Sequence, residues 1–171
     1  MKFSGLLDLP HDENTRIIDL RTLRIRFPKI PEDVLRQLLS DHGRNDEFQS
    51  AYCDIDIDRM NWRREEFTAE QIINASMNPR FRQWFESVSA RAQNYQSQGW
   101  KATDSRQKVR EHWAEHQTWM VPPVLFSGSL VKSAEEFHLV EGHTRVGLLF
   151  GLVKHGFIES SSSHAVWLGS E

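Results

Sequence analysis

The segment from His143 to His155 constrains the fold of this chain more than any other. Large apolar residues occupy nearly every side of the helix that it would form: Val146, Leu148, Leu149, Phe150, Leu152 and Val153. A helix that is apolar all round is buried in a protein core or in a membrane. The apolar stretch is eight residues long, far short of the roughly 20 residues that cross a bilayer. We therefore predict a helix over 143–155 that is buried against a β-sheet and ends at Gly156.

Short apolar runs on both sides of this helix supply the strands of that sheet. Val124 to Phe126 and Glu136 to Val140 read as neighbouring strands, and Ala165 to Leu168 reads as a final one. Gly147 and Gly151 are four residues apart, which predicts that the backbone of the helix approaches the sheet closely. The expected fold class is α+β, with a small mixed β-sheet and an added helical segment.

The middle of the chain predicts three helices. The first covers about 69–77, begins with a capping box at Thr68 and breaks at Asn78-Pro79. The second, over 79–99, places aromatic and aliphatic residues every three or four positions. The third runs from 103 or 104 to about 118. We expect these helices, over 69–118, to be inserted in the sheet domain or packed beside it.

The N-terminal third predicts one helix and one strand. Pro31 opens a short amphipathic helix that Gly43 closes. From Tyr52 to Asp58 polar and apolar residues alternate strictly, as in a half-buried strand. The expected organisation is a single domain with an N-terminal helix and strand (1–60), a helical elaboration (61–119) and a strand-helix-strand core (120–171).

Composition limits the classes of function. The 171 residues carry 21 Lys and Arg, 24 Asp and Glu and a net charge of −3, which disfavours binding to nucleic acid or to anionic lipid. Cys53 is the only cysteine, so an intramolecular disulfide cannot form. The first twenty residues contain no apolar stretch of signal-peptide length. Together these features predict a cytoplasmic protein with no membrane association.

The junction from Glu141 to Arg145 is the most informative site candidate. A strand ends there in Glu141, turns at Gly142 and enters the buried helix through His143, Thr144 and Arg145. A helix N-terminus presents unpaired amides and a partial positive charge, so Arg145, and His143 when protonated, are unfavourable there unless an anion is bound. Gly142 permits close backbone approach, Thr144 supplies a hydroxyl and Glu141 could act as acid or base. The alternative is a Glu141–Arg145 ion pair with His143 as a helix cap, and both interpretations stay open.

This Glu-Gly-His-Thr-Arg box resembles the ParB/sulfiredoxin superfamily, whose related boxes have the form Gly-x-x-Arg. The resemblance covers roughly residues 120–169, including the strand that follows Pro122-Pro123. Family members include nucleotide-binding partition proteins, a free-serine kinase and sulfiredoxin. The catalytic cysteine of sulfiredoxin lies inside the box and is absent here, which disfavours that reductase activity.

The resemblance implies a nucleotide or phosphate pocket around Gly142, His143, Thr144 and Arg145. Phosphoryl transfer or hydrolysis would follow if Glu141 or His143 were the catalytic base. The sequence leaves the cofactor unknown, with a nucleotide and Mg²⁺ as one candidate. A competing hypothesis is a non-catalytic protein-binding module, such as an immunity or antitoxin protein. The tryptophan-rich middle of the chain is compatible with such a protein partner.

Two further segments have the residue spacing of metal-binding motifs. His112 and His116 flank Glu115 at the spacing of an inverted zincin motif, which makes a zinc-dependent hydrolase a weaker alternative. Asp54, Asp56, Asp58 and Glu65 fit the ligand spacing of a calcium-binding EF-hand loop, but Arg59 stands where the sharp turn requires glycine. We therefore expect no resident metal site.

Overall fold

A computed structural model describes residues 1–171 and has an α+β architecture built on one five-stranded mixed sheet. The strand order is β1-β5-β3-β4-β2. The strands are β1 (Asn61–Thr68), β2 (Ser76–Met77), β3 (Val124–Ser127), β4 (Phe137–Glu141) and β5 (Ser163–Ser170). The pairs β1–β5 and β3–β4 are antiparallel, whereas β3–β5 and β2–β4 are parallel. The predicted α+β class with a small mixed sheet is confirmed.

Eight α-helices surround the sheet. They are α1 (Leu20–Arg26), α2 (Glu32–Val34), α3 (Asp46–Tyr52), α4 (Ala69–Ile73), α5 (Arg82–Ala90), α6 (Tyr95–Gln98), α7 (Gln107–His116) and α8 (His143–Lys154). A π-helical segment (Leu35–Ser40) continues α2, so the predicted helix after Pro31 is confirmed. None of the helices has the length and hydrophobicity needed to span a bilayer.

Both faces of the sheet are covered, and successive side chains of each central strand point into two different cores. On β3, Val124 and Phe126 lie in a core formed with the N-terminal helices, whereas Leu125 lies in a second core formed with α4, α5 and α8. On β4, Val140 and Leu139 divide between the same two cores. The result is a three-layer arrangement in which residues 1–60 cover one face and the helices after β1 cover the other.

The predicted strand over Tyr52–Asp58 is wrong. Tyr52 ends α3, and turns lead from it to a 3₁₀ segment at Ile57–Arg59. The alternating aspartates anchor these turns: the Asp56 side chain accepts a hydrogen bond from the Asp58 amide at 3.1 Å, and Asp54 contacts Lys2 at 2.9 Å. Aspartate hydrogen-bonds to nearby backbone in turns, so the period of two did not come from a pleated strand.

The prediction of a helical elaboration over 61–119 is wrong for its first eight residues. Asn61–Thr68 forms β1, the edge strand, and pairs with β5 along its full length. Its residues are mostly exposed or half-buried, so no apolar alternation marked it in the sequence. The capping box at Thr68 is confirmed, but α4 ends at Ile73 and Ser76–Met77 forms β2. The region predicted as one helix over 79–99 is helical in several short segments; the last of them, α6, ends before Gly99, where φ is +57°, and a 3₁₀ segment (Gly99–Ala102) follows directly.

The buried helix was predicted correctly as α8, and Gly156 follows its end with φ of +72°. The prediction for its glycines was wrong. Gly147 and Gly151 face α5, not the sheet: a Cβ at Gly151 would lie 2.3 Å from the carbonyl oxygen of Ser89, and one at Gly147 would lie 3.0 Å from that of Phe85. These glycines therefore bring the backbones of α5 and α8 together.

Candidate functional site

Gly142 makes the turn from β4 into α8. Its backbone is left-handed, with φ of +101°, a conformation that favours glycine. A Cβ there would lie 2.5 Å from the Cβ of Pro123. Pro123 itself is fixed, since its carbonyl accepts a hydrogen bond from the Trp167 amide of β5 at 2.9 Å. The box is thus held against the start of β3 by a contact that tolerates no side chain at position 142.

The first turn of α8 carries amides without helical acceptors. The Val146 amide donates to the Gly142 carbonyl at 2.9 Å, so this is the first bond of the helical ladder. The amides of His143, Thr144 and Arg145 precede it and have no acceptor within the helix. The helix has no acidic residue in its first turn and no side-chain cap. The partial positive charge of this helix end is therefore uncompensated within the turn itself.

Arg145 is anchored by three acceptors. One Nη donates to the Val121 carbonyl at 2.8 Å, and the other donates to Oε1 of Gln37 at 2.8 Å and to Oε1 of Glu141 at 3.3 Å. The side chain is 22% exposed. The Glu141–Arg145 ion pair that the alternative interpretation required is therefore present, and it fixes the guanidinium beside the helix N-terminus with Nε left without a protein acceptor.

Glu141 lies between two cationic groups. Its Oε2 is 3.3 Å from Nε2 of His42, whereas its Oε1 contacts Arg145. Burial alone would raise the pKa of Glu141, but the hydrogen bond from His42 and the nearby charges hold that pKa below its usual value. The same hydrogen bond raises the pKa of His42. Glu141 is therefore ionised at neutral pH, and its basicity is weakened.

His143 is buried and uncharged. It is 6% exposed, and burial lowers the pKa of its imidazole to about 4. The ring packs on Phe81 with centroids 4.2 Å apart, and its Nε2 is buried without a hydrogen-bond partner. At neutral pH His143 adds no positive charge to the helix end, so the expected cationic contribution comes from Arg145 alone. The side chain also does not cap the helix.

Thr144 is joined to an exposed aromatic side chain. The indole Nε1 of Trp84, on α5, donates to Oγ1 of Thr144 at 3.1 Å. Trp84 is 49% exposed, and Arg91 lies over its ring at 5.5 Å from the centroid. The Thr144 hydroxyl can still donate a hydrogen bond outward. The structure thus brings all five residues of the box together at one end of α8, as the sequence predicted.

Sequence reasoning missed the three partners of the box, which are Gln37, His42 and Trp84. The first two come from the N-terminal helical layer, more than ninety residues away in the chain, and Trp84 comes from α5. His42 lies at the end of the amphipathic helix after Pro31, and nothing in the sequence distinguishes it from a surface histidine. Trp84 belongs to the apolar pattern of the helix over 79–99, so the sequence predicted a core position for it and gave no signal of its contact with Thr144.

The metal-binding patterns do not form sites. His112 and His116 lie near each other, with ring centroids 4.4 Å apart, and His116 is 3.6 Å from Glu115. No third ligand approaches them, and no group of three or more potential ligand side chains is arranged to hold a metal ion anywhere in the chain. The carboxylates with EF-hand spacing are engaged in turns and ion pairs instead: Asp56 and Asp58 both contact the amino group of Met1.

Comparison of the chain with models of protein families, with curated proteins and with solved structures gave no significant match.

Proposed function

We propose that the box from Glu141 to Arg145 binds a phosphate-bearing ligand, most plainly a nucleotide, at the N-terminus of α8. The observation that carries the proposal is the first turn of α8: three amides lack helical acceptors, and the turn holds no acidic residue. Such a turn attracts anions through its amides and its partial positive charge. Membership of the ParB/sulfiredoxin superfamily is part of this proposal and is supported by the Gly-x-x-Arg form of the box at a strand-to-helix turn.

Each residue has a defined part in this proposal. Gly142 makes the left-handed turn against Pro123 that places the free amides at the helix end, Thr144 donates its hydroxyl, and Nε of Arg145 supplies a charge-assisted hydrogen bond. Glu141 and His42 position the guanidinium by holding its carboxylate partner. Glu141 and His143 are both weak proton acceptors for phosphoryl transfer or hydrolysis. Burial lowers the pKa of His143 to about 4 and encloses its Nε2, and the hydrogen bond from His42 holds the pKa of Glu141 below its usual value. The proposal is therefore one of binding.

A calorimetric titration and a thermal-melt screen test the binding. The ligands are ATP, ADP, CTP, GTP and inorganic phosphate, each with and without Mg²⁺. A ligand present at 100 times its Kd adds about 2.7 kcal/mol to the free energy of unfolding, which a melt resolves easily. We expect Arg145→Ala to lose the shift and Arg21→Ala, an exposed arginine of α1 without an ion pair, to keep it. Binding by Arg145→Ala equal to that of the wild type would refute the proposal.

A protein-binding module is a second candidate because apolar side chains surround the box. Trp84, Met120 and Val121 are 49%, 53% and 39% exposed, and Val121 and Trp84 both contact residues of the box. Exposed aromatic and Met side chains are enriched in protein interfaces. The absence of any ligand-induced shift, together with a stable complex that Trp84→Ala abolishes, would favour this candidate.

A further inference from the structure

A cleft separate from the Glu141–Arg145 box lies on the surface of the protein. It has a volume of about 820 Å³ and opens between the segment after α1, the start of β1 and the end of β5. No residue of the Glu141–Arg145 box lines it. Its volume falls in the range of ligand-binding sites, roughly 300–1,000 Å³. The cleft is therefore large enough to receive a small organic molecule.

One wall of the cleft is apolar and fixed by the sheet. Phe27, Ile30, Ile57 and Met60 are buried members of the N-terminal core, and Trp62 packs against them. Gly169 of β5 stands opposite Trp62 in the ladder. A Cβ at position 169 would lie 2.7 Å from Cε of Met60 and 2.9 Å from Cζ3 of Trp62. The absence of a side chain at Gly169 is what lets these two apolar groups lie over β5.

Three cationic side chains, those of Arg26, Lys29 and Arg63, line the cleft together with the carboxylates of Asp58 and Glu171, and Arg63 is paired with Glu65 at 3.3 Å. Asp58 is 3.7 Å from Arg26 and also contacts the Met1 amino group, and Glu171 is 3.1 Å from Arg59. Both carboxylates that line the cleft are thus paired within the protein. The ammonium of Lys29, which also lines the cleft, has no ion-pair partner. A ligand acceptor would therefore meet an uncompensated cation there.

We propose that this cleft binds an amphipathic carboxylate, whose apolar body lies on Met60 and Trp62 and whose carboxylate pairs with Lys29. The apolar body is either a hydrocarbon chain or an aromatic ring, since both bury against this wall. The charge pairing selects anions over neutral molecules of the same shape, because the neutral molecule leaves the ammonium unpaired. This site is independent of the one at the N-terminus of α8.

Displacement of a fluorescent anionic dye, 8-anilinonaphthalene-1-sulfonate, tests the proposal. The competitors are decanoate and 1-naphthoate, with 1-decanol and 1-naphthalenemethanol as their uncharged counterparts. We expect at least one acid to displace the dye about tenfold better than its alcohol, as for a hydrogen bond to a charged group. Decanoate or naphthoate alone would identify a chain or a ring as the apolar body.

Two variants and a control locate the binding. Lys29→Gln should weaken the acid about tenfold and leave the alcohol unchanged, whereas Lys154→Gln, at the last residue of α8, should change neither. Gly169→Ala should weaken acid and alcohol together, because its Cβ displaces Met60 and Trp62. Thermal melts show whether this variant is folded. The proposal fails if the wild type binds neither acid at millimolar concentration, or if Lys29→Gln binds the acid as the wild type does.

Discussion

Nε2 of His42 lies 3.3 Å from Oε2 of Glu141. The two residues come from different layers, since His42 belongs to the N-terminal helical layer and Glu141 ends β4 of the sheet. The contact ties the layer that covers one face to the entrance of α8. It also makes the charge state of the box depend on His42, whose pKa is raised by the hydrogen bond to Glu141.

We predict a pH-dependent contribution of His42 to stability. The hydrogen bond to Glu141 raises the pKa of His42 above its unfolded value. The stabilisation is therefore fully present below the unfolded pKa of about 6.5 and is lost as pH rises through the higher folded pKa. His42→Gln should lower the melting temperature more at pH 5.5 than at pH 8.5. A loss of stability that is the same at both pH values would contradict this assignment, and His11→Gln is a suitable control because His11 has no carboxylate partner.

We predict that His143→Phe keeps or raises stability at neutral pH and reduces its loss in acid. Burial lowers the pKa of His143 to about 4, so the folded protein loses stability as pH falls from the unfolded pKa of about 6.5 toward that value. Phenylalanine removes this titration and the unpartnered Nε2, a buried polar atom that costs about 1–3 kcal/mol. Denaturant unfolding should show equal or higher stability at pH 7 and a smaller loss at pH 5. Stability reduced at pH 7 would indicate that Nε2 has a structural partner.

The turn at Gly142 gives a third prediction. Gly142→Ala should reduce the free energy of unfolding by about 2 kcal/mol or more, because the left-handed backbone strains alanine and its Cβ meets Pro123 at 2.5 Å. Gly156→Ala is the matched control, since it has φ of +72° but no atom within 4 Å of the added Cβ. It should cost about 1 kcal/mol. Equal losses in urea titrations would show that the contact with Pro123 relaxes freely.

The helix pair α5–α8 gives a fourth prediction. Gly151→Ala would place its Cβ 2.3 Å from a backbone carbonyl of α5, so the helices must separate; the expected cost is about 1–3 kcal/mol. Gly147→Ala meets its nearest backbone atom at 3.0 Å and should cost less. Chemical denaturation of both variants measures the difference. The reverse order would mean that the helices separate more easily at Gly151 than at Gly147.

The parts of the fold that the sequence predicted share a strong local signal. Apolar residues on all sides predict α8, and apolar runs beside turns predict β3 and β4. The capping box predicts the start of α4. Such signals arise where burial or hydrogen bonding is decided within a few neighbouring residues. β1 and the turns after α3 gave none: β1 is an exposed edge strand specified by its pairing with β5, and aspartates alternate in a turn as readily as in a strand.

The candidate site also has one part that the sequence predicted and one part that it did not. The five residues of the box are consecutive, so their meeting at a helix end follows from one strand-to-helix junction. Gln37, His42 and Trp84 reach the box only through tertiary packing, and no local pattern records such contacts. The charge state of His143 was equally out of reach, because burial on Phe81 decides it.

The strand order has a consequence for the sequence of events in folding. β5 is the last strand in the chain, yet it lies between β1 and β3. Until residues 163–170 leave the ribosome, β1 has no neighbour to pair with, and its backbone donors and acceptors must be satisfied by water. β1 therefore joins the sheet only after β5 has been made, when β5 inserts between two strands that were synthesised before it.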